Sequence, residues 1–117
     1  MWVWLISKNY MNSMVFNEKS AILECQNGNT SQFTLIYDVY IKKIYKYIYF
    51  KILNKAIAED LTSEVFLKAL KNINRVDSER GISAWLYSIA RNTIIDHFRT
   101  SKSDINIEDI WEVAGES

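Results

Sequence analysis

Proline is absent from the 117 residues, and glycine occurs only three times. These two residues interrupt helices most strongly, so their scarcity favours helices over a turn-rich sheet. Hydrophobic residues make up 49% of the chain, which excludes a chain that stays disordered because it cannot build a core. A chain of this length is expected to form one domain. We therefore predict an all-α fold, a compact bundle of about four helices.

Cysteine and histidine occur once each, as Cys25 and His97. A single cysteine cannot form a disulfide within the chain, so a reducing cytoplasm is the default expectation. One cysteine and one histidine are also too few for a zinc site of ordinary spacing. Both residues fall on apolar helix faces, where we interpret them as packing residues. We expect no metal and no cofactor.

Long apolar runs are missing as well. The apolar start MWVWLI has six residues, which is too short for a membrane span or for the hydrophobic part of a signal peptide. No membrane segment is expected. Residues 1–16 are interpreted as an N-terminal extension without assigned function, in which Met11 or Met14 is an alternative start. Residues 17–103 are predicted to form the domain, and residues 104–117 an acidic linker or tail.

Charge is distributed unevenly although the net charge is zero. Residues 104–117 hold five acidic side chains and no basic one, so residues 1–103 carry the compensating +5. A mildly basic body with an acidic tail is compatible with nucleic-acid binding but does not require it, because many solvated surfaces have the same charge.

Apolar residues at three- and four-residue spacing predict four helices separated by short polar segments. Their approximate bounds are residues 18–26, 30–52, 57–73 and 82–101. Asn17 is the candidate N-cap of the first helix, and Gly28 is the residue that stops it. Residues 74–81 form a polar loop that ends in Gly81, which can adopt positive φ. The aromatic residues of the second helix recur at helical spacing, which is more typical of a core than of a base-stacking surface.

The third predicted helix has two unlike faces. Its apolar face carries Ala58, Leu61, Val65 and Ala69. Its other face carries Asp60, Ser63 and Glu64, with the apolar Leu67 among the acids. A charged helix face is usually only solvated, and Glu64 can pair with a lysine one turn later. The leucine favours the alternative interpretation, a docking surface for a basic protein partner.

The fourth predicted helix presents serine, asparagine and arginine side chains opposite its apolar face. Such groups reach phosphates and base edges. An enzyme is a weaker interpretation of the same residues. Asp60 and Glu64 lie on a convex face, and the neighbours Asp96 and His97 point about 100° apart on a helix. The sequence also lacks a glycine-rich phosphate loop, so we expect a binding module that is not an enzyme.

Taken together, these segments resemble a known family. The motif AEDLTSEVFLKAL, a loop ending in DSERG and the run AWLYSIARNTIIDHFR are similar in order and spacing to region 2 of bacterial RNA polymerase sigma factors of the extracytoplasmic-function (ECF) type. The segment FTLIYDVYIKKIYKYIYFKI resembles the preceding helix of that family, so the resemblance covers about residues 17–103. It implies a protein of transcription initiation.

The resemblance implies two surfaces. The AEDL–EVF helix would dock on the clamp helices of the largest catalytic subunit of the RNA polymerase core. The residues carried over to this role are Asp60, Ser63, Glu64 and Leu67, with Ser63 standing where the family usually has glutamine. The loop and the fourth helix would recognise and melt the promoter −10 element by holding its non-template strand. The residues carried over to the strand are Arg80, Trp85, Tyr87, Ser88, Arg91, Asn92, Arg99 and Lys102.

The resemblance leaves alternatives open. A full sigma factor of this type has a second DNA-binding domain, region 4, for which residues 104–117 are too short. The chain is then either a truncated form or a region-2-only product. Ile82 stands where the family usually has an aromatic residue, which leaves the recognised base undefined. The alternative function is a module that binds polymerase or an anti-sigma factor without opening promoters.

Overall fold

The computed structural model describes residues 16–101. Its helices, in chain order, are α1 (Glu18–Gln26), α2 (Phe33–Ile52), α3 (Lys55–Lys71) and α4 (Ser83–Thr100), with single 3-10 turns at Thr30–Gln32 and Ile73–Arg75. Within residues 16–101 there is no strand, and the predicted all-α bundle of about four helices is confirmed. The assignments made for residues 1–15, for Lys102 and for the acidic tail lie outside the described residues.

Asparagine caps set the start of two helices. Asn17 Oδ1 accepts a hydrogen bond from Ser20 N at 2.9 Å, as the sequence predicts. Asn54 Oδ1 accepts from Ile57 N at 3.0 Å, so α3 begins at Lys55, two residues before its predicted start. It also ends two residues early, at Lys71. The cap accounts for the earlier start, which the apolar spacing alone did not indicate.

The turn between α2 and α3 consists of Leu53 and Asn54. Leu53 adopts φ +57 and ψ +34, the left-handed conformation that glycine or asparagine usually supplies at the end of a helix. Its side chain is 68% exposed, so burial does not stabilise the turn. A connection this short makes α2 and α3 a helical hairpin.

All four helices contribute to one hydrophobic core. The predicted apolar face of α3 is confirmed, since Ala58, Leu61, Val65 and Ala69 are all buried. Burying an aliphatic side chain of this kind stabilises a fold by roughly 1.5–3 kcal/mol. Cys25 is buried within the core, as predicted. The short helix α1 joins the same core through Ala21, Ile22 and Cys25.

Candidate functional site

The exposed face of α3, here called the docking face, consists of Asp60, Ser63, Glu64 and Leu67. All four side chains are exposed, as the helical spacing predicts. Leu67 is 65% exposed although it is a large apolar side chain. Because the opposite side of α3 packs into the core, the docking face is a convex ridge, with an acidic half followed by an apolar one.

One acid of the docking face has a partner within its own helix. Glu64 Oε2 lies 2.9 Å from Lys68 Nζ, the intrahelical pair that the sequence allowed. Both side chains are partly exposed, and pairs of this kind contribute about 0–1 kcal/mol. Glu64 can therefore exchange Lys68 for a cation on another molecule at little cost.

A groove runs between α2 and α3 beside the docking face. Its volume is about 420 Å³, and its lining residues are Tyr37, Ile41, Lys42, Tyr45, Lys46, Glu59, Thr62 and Ser63. Ser63 thus belongs both to the docking face and to the rim of this groove. Side-chain spacing on α3 alone did not indicate the groove, because five of its eight lining residues come from α2.

The residues assigned to the DNA strand form a second surface, here called the strand face. Its exposed members are Arg80, Ser88, Arg91, Asn92 and Arg99. The side chain of Arg80 is 87% exposed, and its Nε lies 3.8 Å from Asp77 Oδ2, too far for a hydrogen bond. Ser88 Oγ is engaged within the helix, where it donates to Trp85 O at 2.7 Å.

The two aromatic residues of the strand face are half-buried. The ring of Tyr87 meets the ring of Tyr47 on α2 edge to face, with 5.2 Å between the centroids. Trp85 packs partly against the core. Both rings are therefore held by packing and remain partly accessible to solvent.

A pocket of about 210 Å³ opens between the end of α3, the 3-10 turn at Ile73–Arg75, and α4. Its lining residues are Lys68, Asn72, Arg75, Trp85, Ile89 and Asn92. The structure thus brings Trp85 and Asn92, two of the residues assigned to the strand, to one pocket, but Arg80 is not among the lining residues. Lys68, Asn72 and Arg75 were missed, because the periodicity of one helix does not show which residues of another lie beside it.

The loop between α3 and α4 is attached to α1. Gln26 Nε2 donates to Ile73 O and to Val76 O, each at 2.9 Å. Glu18 Oε2 accepts from Ile82 N at 2.8 Å, and Glu18 Oε1 accepts from the Tyr40 hydroxyl at 2.6 Å. The sequence analysis connected neither Glu18 nor Gln26 with this loop.

Burial of Tyr40, and then its hydrogen bond to the Glu18 carboxylate, raise the pKa of the Tyr40 hydroxyl. Tyr40 therefore remains a neutral donor throughout the neutral range. Among the described residues, no three His, Cys, Asp or Glu side chains are grouped so that they could hold a metal ion. None of the described helices is both long enough and apolar enough to cross a membrane.

Comparison with known proteins supplies the family. Residues 36–103 match the family model described as Sigma-70 region 2. The chain is 43% identical over 83 residues to the ECF RNA polymerase sigma factor BldN of Streptomyces coelicolor, covering 70% of this chain and 31% of that protein. It is 39% identical over 97 residues to the ECF RNA polymerase sigma factor SigW of Bacillus subtilis, covering 83% of this chain and 51% of that protein.

The chain therefore spans about a third to a half of the length of these curated relatives. The family match includes all of α3, the loop and α4, which are the elements that carry the docking face, the strand face and the pocket. With more than half of its residues matched, the chain belongs to the sigma-70 region 2 family and is similar to its ECF members.

Proposed function

We propose that this chain acts in transcription initiation as region 2 of an ECF-type sigma factor, and that it is a binding module without catalytic activity. The docking face would bind the clamp helices of the RNA polymerase core. The strand face and the adjoining pocket would bind the non-template strand of the promoter −10 element. The observation that carries the proposal is the pair of chemically unlike exposed surfaces on the neighbouring helices α3 and α4.

The docking face suits a basic protein surface with an apolar centre. Burial of Leu67 by a partner removes apolar area from water, which is favourable by roughly 25 cal/mol for each Å². Asp60 and Glu64 favour a positively charged partner, and charges at an interface set its orientation and speed its formation. The groove between α2 and α3 adds a neighbouring recess for a side chain of that partner.

The pocket suits one unstacked base. Trp85 supplies an aromatic wall, and stacking on such a ring contributes roughly 1–3 kcal/mol for each base. The amide of Asn92 can donate to and accept from base edges. Asn72 Nδ2 already donates to Lys68 O at 2.9 Å, which leaves its oxygen and one N–H for a base. Lys68 and Arg75 bring two cations to the same pocket for the adjacent phosphates. At about 210 Å³ it is smaller than sites for drug-sized ligands, which hold roughly 300–1,000 Å³.

Melting requires more free energy than these contacts alone supply. Each base step that is unstacked costs on the order of a few kcal/mol, and the polymerase must offset part of that cost. The chain without polymerase is therefore expected to bind duplex DNA weakly. The polymerase-bound chain is the form in which the strand face acts.

The experiment uses the full chain assembled with a bacterial core polymerase. Promoters that it opens are first selected from a DNA library, and opening is then measured by permanganate reactivity of thymines on a fork-junction template. Arg75→Ala and Asn92→Ala test the pocket, and Arg80→Ala tests the loop. Lys55→Ala is the matched control, because Lys55 is an exposed cation at the start of α3, outside both surfaces.

Promoter opening is expected to fall about 5- to 150-fold for Asn92→Ala, the range that a lost base contact of about 1–3 kcal/mol produces. If Arg75→Ala lowers opening and Arg80→Ala does not, the base lies in the pocket; the reverse result places it on the loop. If none of the three variants differs from Lys55→Ala, the strand assignment is wrong. The chain would then be a module that binds polymerase or an anti-sigma factor without opening promoters.

The docking face is tested separately by co-purification with core polymerase. Glu64→Lys reverses a charge on the face and is expected to cost about 2 kcal/mol or more of binding free energy if its partner is desolvated. Undiminished co-purification of Glu64→Lys would contradict the docking assignment.

A further inference from the structure

Helix α1 holds the beginning of the loop that connects α3 with α4. The side-chain amide of Gln26, the last residue of α1, donates to the carbonyls of Ile73 and Val76, which lie 47 and 50 residues further along the chain. Both bonds are partly buried. Two carbonyls at the start of the loop are thus satisfied by one side chain from a distant helix.

The other end of α1 holds the end of the same loop. Glu18 accepts from the amide of Ile82, next to the first residue of α4. Gly81 has φ +87, and a Cβ at Gly81 would lie 2.6 Å from Glu18 Oε2, so the loop approaches the carboxylate without a side chain between them. The negative charge stands at the positive end of the α4 dipole, where no side chain of α4 itself forms a cap.

Between these two ends the loop is held mainly by its own turn. Asp77 O accepts from Arg80 N and Gly81 N, each at 3.1 Å, and Asp77 Oδ1 accepts from Glu79 N at 2.9 Å. The pair between Lys19 and Glu79 is exposed on both sides and contributes little. The placement of Arg80 therefore depends on where α1 fixes the two ends.

We infer that Glu18 and Gln26 are positioning residues for strand binding. They hold the loop and the start of α4 in one geometry, so that Arg80 and Trp85 are already placed when the strand arrives. A surface arranged in advance loses less conformational entropy on binding. The inference rests on the proposed function, because it takes the loop and α4 to be the strand-binding surface. Neither Glu18 nor Gln26 contacts the strand in this arrangement.

The test measures loop order and strand binding in the same set of variants. Amide hydrogen exchange of residues 77–82 reports the loop. Anisotropy of a fluorescein-labelled fork junction, built from a promoter selected as above, reports the affinity of the polymerase-bound chain. Glu18→Ala removes the hydrogen bond to the end of the loop, and Gln26→Ala removes the hydrogen bonds to its start. Glu24→Ala is the matched control, since Glu24 is an exposed acid on the same helix, away from the loop.

Glu18→Ala and Gln26→Ala are each expected to speed exchange of the loop amides and to weaken fork-junction binding by about tenfold. Glu18→Ala loses charge-assisted hydrogen bonds, and Gln26→Ala loses two neutral ones that together contribute about as much. Co-purification with polymerase should be unchanged, because it depends on the docking face. Glu18→Gln should restore most of both readouts, since it loses only the charge of the carboxylate. Its amide oxygen can accept from Ile82 N, and its amide nitrogen can donate to the Tyr40 hydroxyl.

A Glu18→Ala chain whose loop exchanges faster but whose fork-junction affinity and base preference are native would overturn the inference. Should Glu18→Ala fail to fold, Gln26→Ala and Glu18→Gln decide: the inference requires the first to weaken strand binding and the second to preserve it. If Arg80→Ala, Arg75→Ala and Asn92→Ala all leave opening unchanged, the proposed function itself fails. That outcome differs from one in which only Glu18→Ala and Gln26→Ala leave fork-junction affinity unchanged, which would contradict the inference alone.

Discussion

Lys68 on α3 donates a hydrogen bond from Nζ to Thr93 Oγ1 on α4, at 3.2 Å. The same ammonium pairs with Glu64 of the docking face, and Lys68 also lines the pocket beside Asn92. The hydroxyl of Thr93 is buried and donates in turn to Ile89 O at 2.7 Å. One cation therefore connects the surface assigned to polymerase with the helix assigned to DNA.

Lys68→Met tests this connection, because it removes the ammonium and keeps most of the apolar stem. Glu64 loses its intrahelical partner, so the docking face becomes more acidic and polymerase affinity should rise a few-fold at low salt. Fork-junction affinity should fall, because the pocket loses a cation. Binding is measured for both partners over a salt series, with Lys55→Met as control, since Lys55 is an exposed lysine at the start of α3, outside both surfaces. Parallel changes in both affinities would contradict the assignment of Lys68 to two surfaces.

Leu67→Ala separates binding from stability. Leu67 is 65% exposed, so its truncation should change the free energy of unfolding by less than about 0.5 kcal/mol. Polymerase affinity should fall about tenfold, as expected for a residue buried at the centre of an interface. The control is Leu23→Ala, a leucine on α1 that is 40% exposed, which should leave polymerase affinity unchanged. Equal polymerase affinity of the two variants would remove Leu67 from the interface.

Gly81→Ala and Gly28→Ala form a matched pair of positive-φ glycines. Gly28 has φ +103, and an added Cβ would meet no atom within 4 Å. Its substitution should therefore cost only the left-handed strain of about 1–2 kcal/mol. At Gly81 the Cβ must also displace Glu18, so Gly81→Ala should be the more destabilising in urea titrations. Glu18→Ala should lower the free energy of unfolding less in the Gly81→Ala chain than in the parent chain, because the clash is then relieved. If the two substitutions lower the free energy of unfolding additively, the contact between Gly81 and Glu18 is unimportant.

Tyr40 gives the protein a dependence on alkaline pH. Burial and the Glu18 carboxylate raise the pKa of Tyr40 in the folded state, whereas an unfolded tyrosine titrates near about 10. The unfolded chain therefore releases the proton first, and this contribution to stability is full below about pH 10 and declines above it. Tyr40→Phe should lower the free energy of unfolding at neutral pH by about 1–2 kcal/mol, because the hydrogen bond to Glu18 is lost. Above about pH 10, the free energy of unfolding of Tyr40→Phe should decrease less steeply with pH than that of the parent chain. Identical slopes for both proteins in alkaline urea titrations would contradict this account.

Local pattern was enough to predict what lies within one helix. The spacing of Ala58, Leu61, Val65 and Ala69 predicted the buried face of α3. The same helical spacing predicted that Leu67 lies on the exposed face. Asn17 was predicted as a cap because its side chain acts three residues away. These features depend on residues within one or two turns of each other, where sequence distance and spatial distance agree.

Relationships between helices were not predictable in the same way. The pocket joins Arg75 to Trp85 and Asn92, and the contact of Gln26 with Val76 spans 50 residues. Periodicity shows which face of a helix is buried, but not which side chain of another helix covers it. Polar groups such as Glu18 and Gln26 are especially hard to assign, because the same residue types also occur on solvated surfaces.

The bond between Glu18 and the amide of Ile82 spans 64 residues, whereas two residues connect α2 with α3. The entropy lost when a loop closes grows with its length, so we expect the α2–α3 hairpin to form early and α1 to dock late. Loss of the Glu18 contact should then accelerate unfolding and leave the folding rate nearly unchanged in stopped-flow measurements. The loop that carries Arg80 would be the last part of the molecule to assemble and the first to open.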